Sequence, residues 1–174
     1  MTGESWHEGC PVPIGALRVL SLDYYDFEGS VVQGTLVVNR KVADEMVSVF
    51  GQLFDARFPI MAMDATDLDP PAELAAPVHD DTVSFNCRPI MGTDVWSQHA
   101  YGLAVDINPV QNPWVEGERV LPRAGEAYVD RSQTLPGMVH ADDVVVRAFA
   151  GIGWGWGGEW HSKKDYMHFS STGG

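Results

Sequence analysis

The sequence predicts a single α+β domain with a small, mostly antiparallel sheet and flanking helices. Three observations predict it. Residues 18–38 form a strand-type run, with Val31, Val32, Leu36, Val37 and Val38 punctuated by Gly29 and Gly34. Residues 42–54 carry one apolar stripe at helical spacing. Two later segments, 103–108 and 166–170, have the look of short strands. A chain of 174 residues suits one domain. It shows no internal repeat, no low-complexity tract and no boundary, so residues 1–174 are taken as one unit, with 1–17 as an N-terminal arm.

Asn39 is placed to cap the helix that follows the first strands. In that helix Val42, Met46, Val49, Phe50, Leu53 and Phe54 fall on one face, and Pro59 lies just beyond its end. Residues 60–63 read as a short strand. Residues 64–80 are rich in Asp, Ala and Pro and read as a surface loop, and 82–88 as extended. Over 103–108, Leu103, Val105 and Ile107 alternate with Ala104 and Asp106. Residues 109–136 form a connection long enough to be functional or to hold short elements of its own. Asp142 is expected to cap a helix over 143–152, with Val144, Val145, Ala148, Phe149 and Ile152 inward.

The formal net charge is −13, from 11 Lys and Arg against 24 Asp and Glu. Such a surface repels nucleic acid and anionic membrane, so neither is an expected partner. No run approaches the roughly 18 apolar residues of a membrane helix. The N-terminus has no apolar signal core, so either the protein is cytoplasmic or the chain is a mature piece of a longer precursor. The two cysteines, Cys10 and Cys87, lack the spacing of a redox motif or zinc ribbon. They read as two buried thiols or as one disulfide tying the arm to the core.

The chemistry is concentrated in two segments. Ser97-Gln98-His99-Ala100-Tyr101-Gly102-Leu103-Ala104-Val105-Asp106 is one, and Asp165-Tyr166-Met167-His168-Phe169 is the other. A catalytic zinc takes three nitrogen or oxygen ligands and leaves one position for water. His99, Asp106 and His168 can supply such a trio, with Asp165 left over as a base. Any of these residues alone is more often a solvated or satisfied polar group. Ser97 also fits a simple turn, and Gly102 a bulge.

Together the segments read SxHxxGxAxD and DxxH, and they closely resemble the metallopeptidases grouped with lysostaphin, D-alanyl-D-alanine peptidases and sonic hedgehog. Within that group the chain resembles the D-alanyl-D-alanine carboxypeptidase family, including its L-alanyl-D-glutamate endopeptidase branch. The resemblance runs from about Phe85 to the C-terminus and more loosely upstream. It implies a hedgehog/DD-peptidase-like fold, with Zn2+ bound by His99, Asp106 and His168. Asp165 would be the catalytic carboxylate, where many relatives have the longer Glu. Arg88 matches a family arginine beside the active site, suited to a substrate carboxylate or an oxyanion. Ser97, Tyr101 and Arg88 are the implied substrate-binding residues. Ser97 also suits orienting the strand, and Tyr101 suits filling the core.

The implied activity is hydrolysis of peptidoglycan stem peptides by a zinc-activated water. Removal of a terminal D-alanine comes first, with L-alanyl-D-glutamate or cross-bridge cleavage as the alternative. Sonic hedgehog shows a further alternative, a zinc module that binds without hydrolysis. The implied location is secreted or in the cell envelope, as a monomer. An envelope setting favours a Cys10–Cys87 disulfide, holding the segment that carries Arg88. Trp154, Trp156 and Trp160 either pack under loops or wall the cleft. His7, His79, His140 and His161 are not expected to be ligands.

One geometric problem is left open. Positions three apart on a regular strand face opposite sides. Asp165 and His168 can therefore meet at one metal only if the chain bends between them or Asp165 precedes the strand.

Overall fold

The computed structural model describes residues 5–64 and 80–173. The predicted loop at 64–80 and His79 fall almost wholly outside them. The first strands form a hairpin, β1 (Leu17–Tyr25) and β2 (Val31–Asn39), paired antiparallel from Leu17 opposite Asn39 to Tyr25 opposite Val31. Its turn is closed by Asp26, whose carboxylate accepts from the Ser30 amide at 2.7 Å.

Helix α1 (Ala43–Asp55) lies against β1 and buries Met46, Val49, Phe50 and Leu53, four residues of the predicted stripe. Asp44 and Glu45 in its first turn suit the positive end of the helix. Asn39, however, is not its N-cap. That position is Val42, which makes no side-chain cap. Asn39 ends β2 instead, and its Oδ1 accepts from Lys41 N at 3.1 Å to hold the turn before the helix.

The second helix, α2 (Val144–Gly151), packs on α1 and buries Val145, Ala148 and Phe149. Its cap is Asp143, not Asp142. The Asp143 carboxylate accepts from the amides of Val145 and Val146, while Asp142 sits at φ 64 in the preceding turn. Both residue types favour such positions, and the local backbone decides between them.

The remaining strands are short and form two small antiparallel sheets. One holds β3 (Ala104–Asp106), β6 (Gly155–Trp156) and β8 (His168–Ser170), with β8 central. The other holds β4 (Trp114–Glu116), β5 (Arg119–Leu121) and β7 (Lys164–Asp165), with β4 central. β4 and β5 arise inside the predicted long connection. Segments 60–63 and 82–88 contribute only isolated bridges, Ala62 to Asp81 and Val83 to Asp106, and not full strands.

One core joins hairpin, helices and the β3–β6–β8 sheet, through Leu36, Val38, Leu53, Val105, Phe149 and Phe169. Phe149 stacks on Phe169 with centroids 4.2 Å apart, which fixes the strand that carries His168. The long connection is docked by polar contacts. Buried Asn108 accepts from Met61 N and donates to Pro59 O and Gly137 O. Arg131 donates to Gln111 O and Asn112 Oδ1 and lies 4.4 Å over the Tyr166 ring. Cys10 and Cys87 form a disulfide that ties the arm beside β1 and β2 to the segment before His99. Among the described residues, no helix is long and apolar enough to cross a membrane.

Candidate metal centre

Ser97 begins the site. Its Oγ accepts from His99 N at 3.3 Å and caps a 3-10 turn over Gln98–Tyr101. Gly102 ends that turn at φ 66, where a Cβ would stand 2.6 Å from Asn39 N. The missing side chain lets the turn lie directly on β2, with Asn39 N donating to Gly102 O at 2.9 Å and Asn39 Nδ2 to Tyr101 O at 3.0 Å. The end of the hairpin thus sets the height of His99.

The His99 ring is set from the other side. Its Nδ1 lies 2.6 Å from Ser84 O, which fixes the proton on Nδ1 and leaves Nε2 as a free donor atom for a cation. Asn86 N donates to His99 O at 3.1 Å, so the 84–86 segment grips the residue twice.

Asp106 and His168 meet by strand register. They stand directly opposite each other in the β3–β8 pair, which puts both side chains on one face. His168 Nδ1 lies 2.9 Å from Asp106 Oδ1 and 3.3 Å from His99 Nε2, and His99 Nε2 lies 3.2 Å from Asp106 Oδ2. Ligand atoms ~2.0–2.1 Å from a tetrahedral zinc sit about 3.3 Å apart. The spacing of these three residues therefore fits such an ion, and their donor atoms all lie within 4.8 Å of one another. Burial works against charge on Asp106, but the two histidines outweigh it and hold the carboxyl well below the usual carboxylate range.

The bend between Asp165 and His168 is a change of sheet. Asp165 pairs with Trp114 in β7, while His168 belongs to β8. Tyr166 and Met167 make the crossing between the sheets. Trp156 Nε1 donates to Tyr166 O at 2.8 Å and Ile107 N to Met167 O at 3.0 Å, so the crossing is held at both residues. Gly157 makes room for Asp165, since a Cβ there would lie 2.5 Å from Asp165 O and 2.8 Å from its Cβ. Asp165 Oδ1 is buried with no hydrogen-bond partner among the described residues. Burial, helped by the charge of Asp106, pushes this carboxyl up to about 7, against the opposing pull of His168, Lys163 and Arg88.

Arg88 is half-buried at the edge of the site, close enough for its charge to act on Asp165. Tyr101 is half-buried in the His99 turn. The tryptophans divide. Trp154 and Trp156 belong to the core, and Trp160 packs its ring 5.6 Å from that of His168. His161 is exposed, and His140 lies near Arg131 and Asp143, away from the trio's contacts. His7 lies with Cys10 and Cys87, whose sulfurs are joined to each other. Sequence reasoning missed Asn39, Ser84 and Gly157 as determinants of the site. Gly157 left a trace as one of the glycines between 151 and 158, and Asn39 was read only as a helix cap.

Two histidines and a carboxylate around one point, with a second buried carboxylate beside them, form a group that could hold a metal ion. Residues 91–171 match the family model described as D-alanyl-D-alanine carboxypeptidase, a little under half of the chain, and they include His99, Asp106, Asp165 and His168. Over this segment the chain is similar to that family of peptidases. No curated protein and no solved structure matches the chain in these comparisons.

Proposed function

We propose that this chain is a zinc metallopeptidase of peptidoglycan stem peptides, acting first as a D-alanyl-D-alanine carboxypeptidase. The observation that carries the reading is the convergence of His99, Asp106 and His168 with the buried, unpartnered carboxylate of Asp165. A zinc ion held by His99 Nε2, His168 Nδ1 and Asp106 would supply a Lewis acid and bring the pKa of a water towards neutrality.

The protein's own groups do the rest. Asp165 takes the proton from the attacking water and returns it to the leaving amine. Its buried oxygen, with no hydrogen-bond partner among the described residues, suits that exchange. Arg88 offers a cation to the oxyanion or to a substrate carboxylate. Ser97 orients His99 through its cap, so we assign it positioning more than substrate contact. Tyr101 and Trp160 flank the two histidines as walls. The disulfide is consistent with an extracytoplasmic location.

Purified peptidoglycan digested with metal-loaded protein tests this, with mass spectrometry of the released fragments and elemental analysis of the protein. One zinc per chain and release of free D-alanine are expected, and both should vanish in a His99→Ala, His168→Ala double variant. Cleavage at L-alanyl-D-glutamate instead would move the activity to the endopeptidase branch. Stoichiometric metal in the double variant would sink the ligand assignment.

A further inference from the structure

Two lysines stand next to each other before Asp165, and the structure uses them differently. Lys164 Nζ donates to Gly158 O at 3.0 Å and serves the fold. Lys163 is half-buried and makes no hydrogen bond or ion pair among the described residues. Its Nζ lies 5.4 Å over the Trp160 ring. Trp160 is itself held, with Nε1 donating to Gly173 O at 2.7 Å, and its ring packs 5.6 Å from that of His168. A rigid indole thus carries the ammonium to the rim of the metal centre.

A peptide bearing carboxylates meets a chain whose net charge is −13, with Asp106 and Asp165 at the centre itself. Local cations are needed to make such an approach favourable. Arg88 is one. Lys163 is the other whose charge reaches Asp165.

Resting on the peptidase reading above, we propose that Lys163, poised over Trp160, is a specificity-determining residue that binds a free carboxylate of the substrate next to the bond being cut. The carboxylate has two sources in a stem peptide. It is either the C-terminal group of a terminal D-alanine or the α-carboxylate left free on a γ-linked D-glutamate. Cation–π contact holds the ammonium in place while its N–H donors stay open, so the carboxylate binds without displacing a protein partner.

Two matched pairs of synthetic peptides test the inference. One pair ends in D-Ala-D-Ala acid or its C-terminal amide. The other contains L-Ala-γ-D-Glu or the corresponding isoglutamine amide. The parent should prefer the acid of one pair. Lys163→Met should raise KM for that acid roughly ten-fold or more while leaving its amide unchanged, as expected for loss of a hydrogen bond between charged groups. Lys163→Arg should restore most of the preference. The same contrast should appear as affinity by calorimetry in an Asp165→Asn background, where turnover does not enter. A preference that survives Lys163→Met overturns the inference and leaves the peptidase reading standing. An equal fall in kcat on all four peptides also overturns it, because Lys163 would then act only on Asp165. A parent that cleaves none of the four overturns both.

Discussion

The hairpin with α1 and the segment from Ser97 to Ser170 are built on different principles. In the first, long regular elements bury an apolar stripe, and Leu36, Val38, Met46 and Leu53 sit almost wholly out of water. In the second, no strand exceeds three residues, and position comes from side chains bonded to backbone: Ser97 on His99, His99 on Ser84, Trp156 on Tyr166. The first region supplies much of the shared apolar core. The second spends its bonds on holding four side chains at set places. The lesson is that stability and precision are supplied here by separate parts of one chain, joined at Asn39 and Gly102.

The largest expected effect lies at the site. Asp165→Asn should keep the metal and the fold but lower turnover by about 10²–10⁴-fold, because the amide cannot take the proton. Steady-state kinetics beside metal analysis checks it, and parent-like turnover would place the base elsewhere. On the other side of the comparison, Leu53→Ala should cost about 2–5 kcal/mol of unfolding free energy. Its metal affinity in the folded state should stay unchanged, as read by denaturant melts and a chelator competition titration.

Asn39→Ala sits between the two regions. It removes the bonds to Tyr101 O and Lys41 N and should cost about 1–3 kcal/mol. Unlike Leu53→Ala it should also weaken metal binding, since the His99 turn loses its seat. Unchanged affinity would break the proposed division of labour.

A further test of the site is a pH slope in metal-free protein. The Asp165 carboxyl is raised to about 7, above its ordinary value of 3.8. The folded state therefore holds this proton more tightly than the unfolded state. Its contribution is fully present below about pH 4 and is lost as pH rises towards 7. Asp106 is shifted the other way, so its contribution is lost only on acidification below the usual carboxylate range. Thermal melts in chelator should show parent stability falling between pH 4.5 and 7 relative to Asp165→Asn, on roughly the scale these pKa values set. Parallel curves for the two proteins would count against a raised Asp165.

The same division explains what was legible in the sequence. The hairpin and α1 could be read because strand propensity and a helical stripe are local signals, and Met46 and Leu53 lie where the stripe put them. That His99, Asp106 and His168 belong together was legible through their motifs, not through periodicity. What periodicity could not give is how Asp165 and His168 come to face one point, since that depends on a crossing from β7 to β8 between two sheets. Asn39 and Asp142 were misjudged for a related reason. Each is a good capping residue, but a side chain's partner is chosen by where the backbone arrives. Asn39 was claimed by the turn at Lys41 and the His99 loop, and Asp143 was better placed than its neighbour. Ser84 and Gly157 act through a carbonyl and through an absent side chain, neither of which a residue name announces.

The Cys10–Cys87 bond has a topological consequence. It closes a ring that contains the hairpin and α1, while His99, Asp106, Asp165 and His168 all lie on the tail outside it. A protease that cuts once anywhere between the two cysteines opens the ring but releases nothing. The nicked protein should therefore migrate as one species on a gel without reductant and as two with it. The fragment bearing the candidate metal ligands would stay tethered to the arm by a single covalent link.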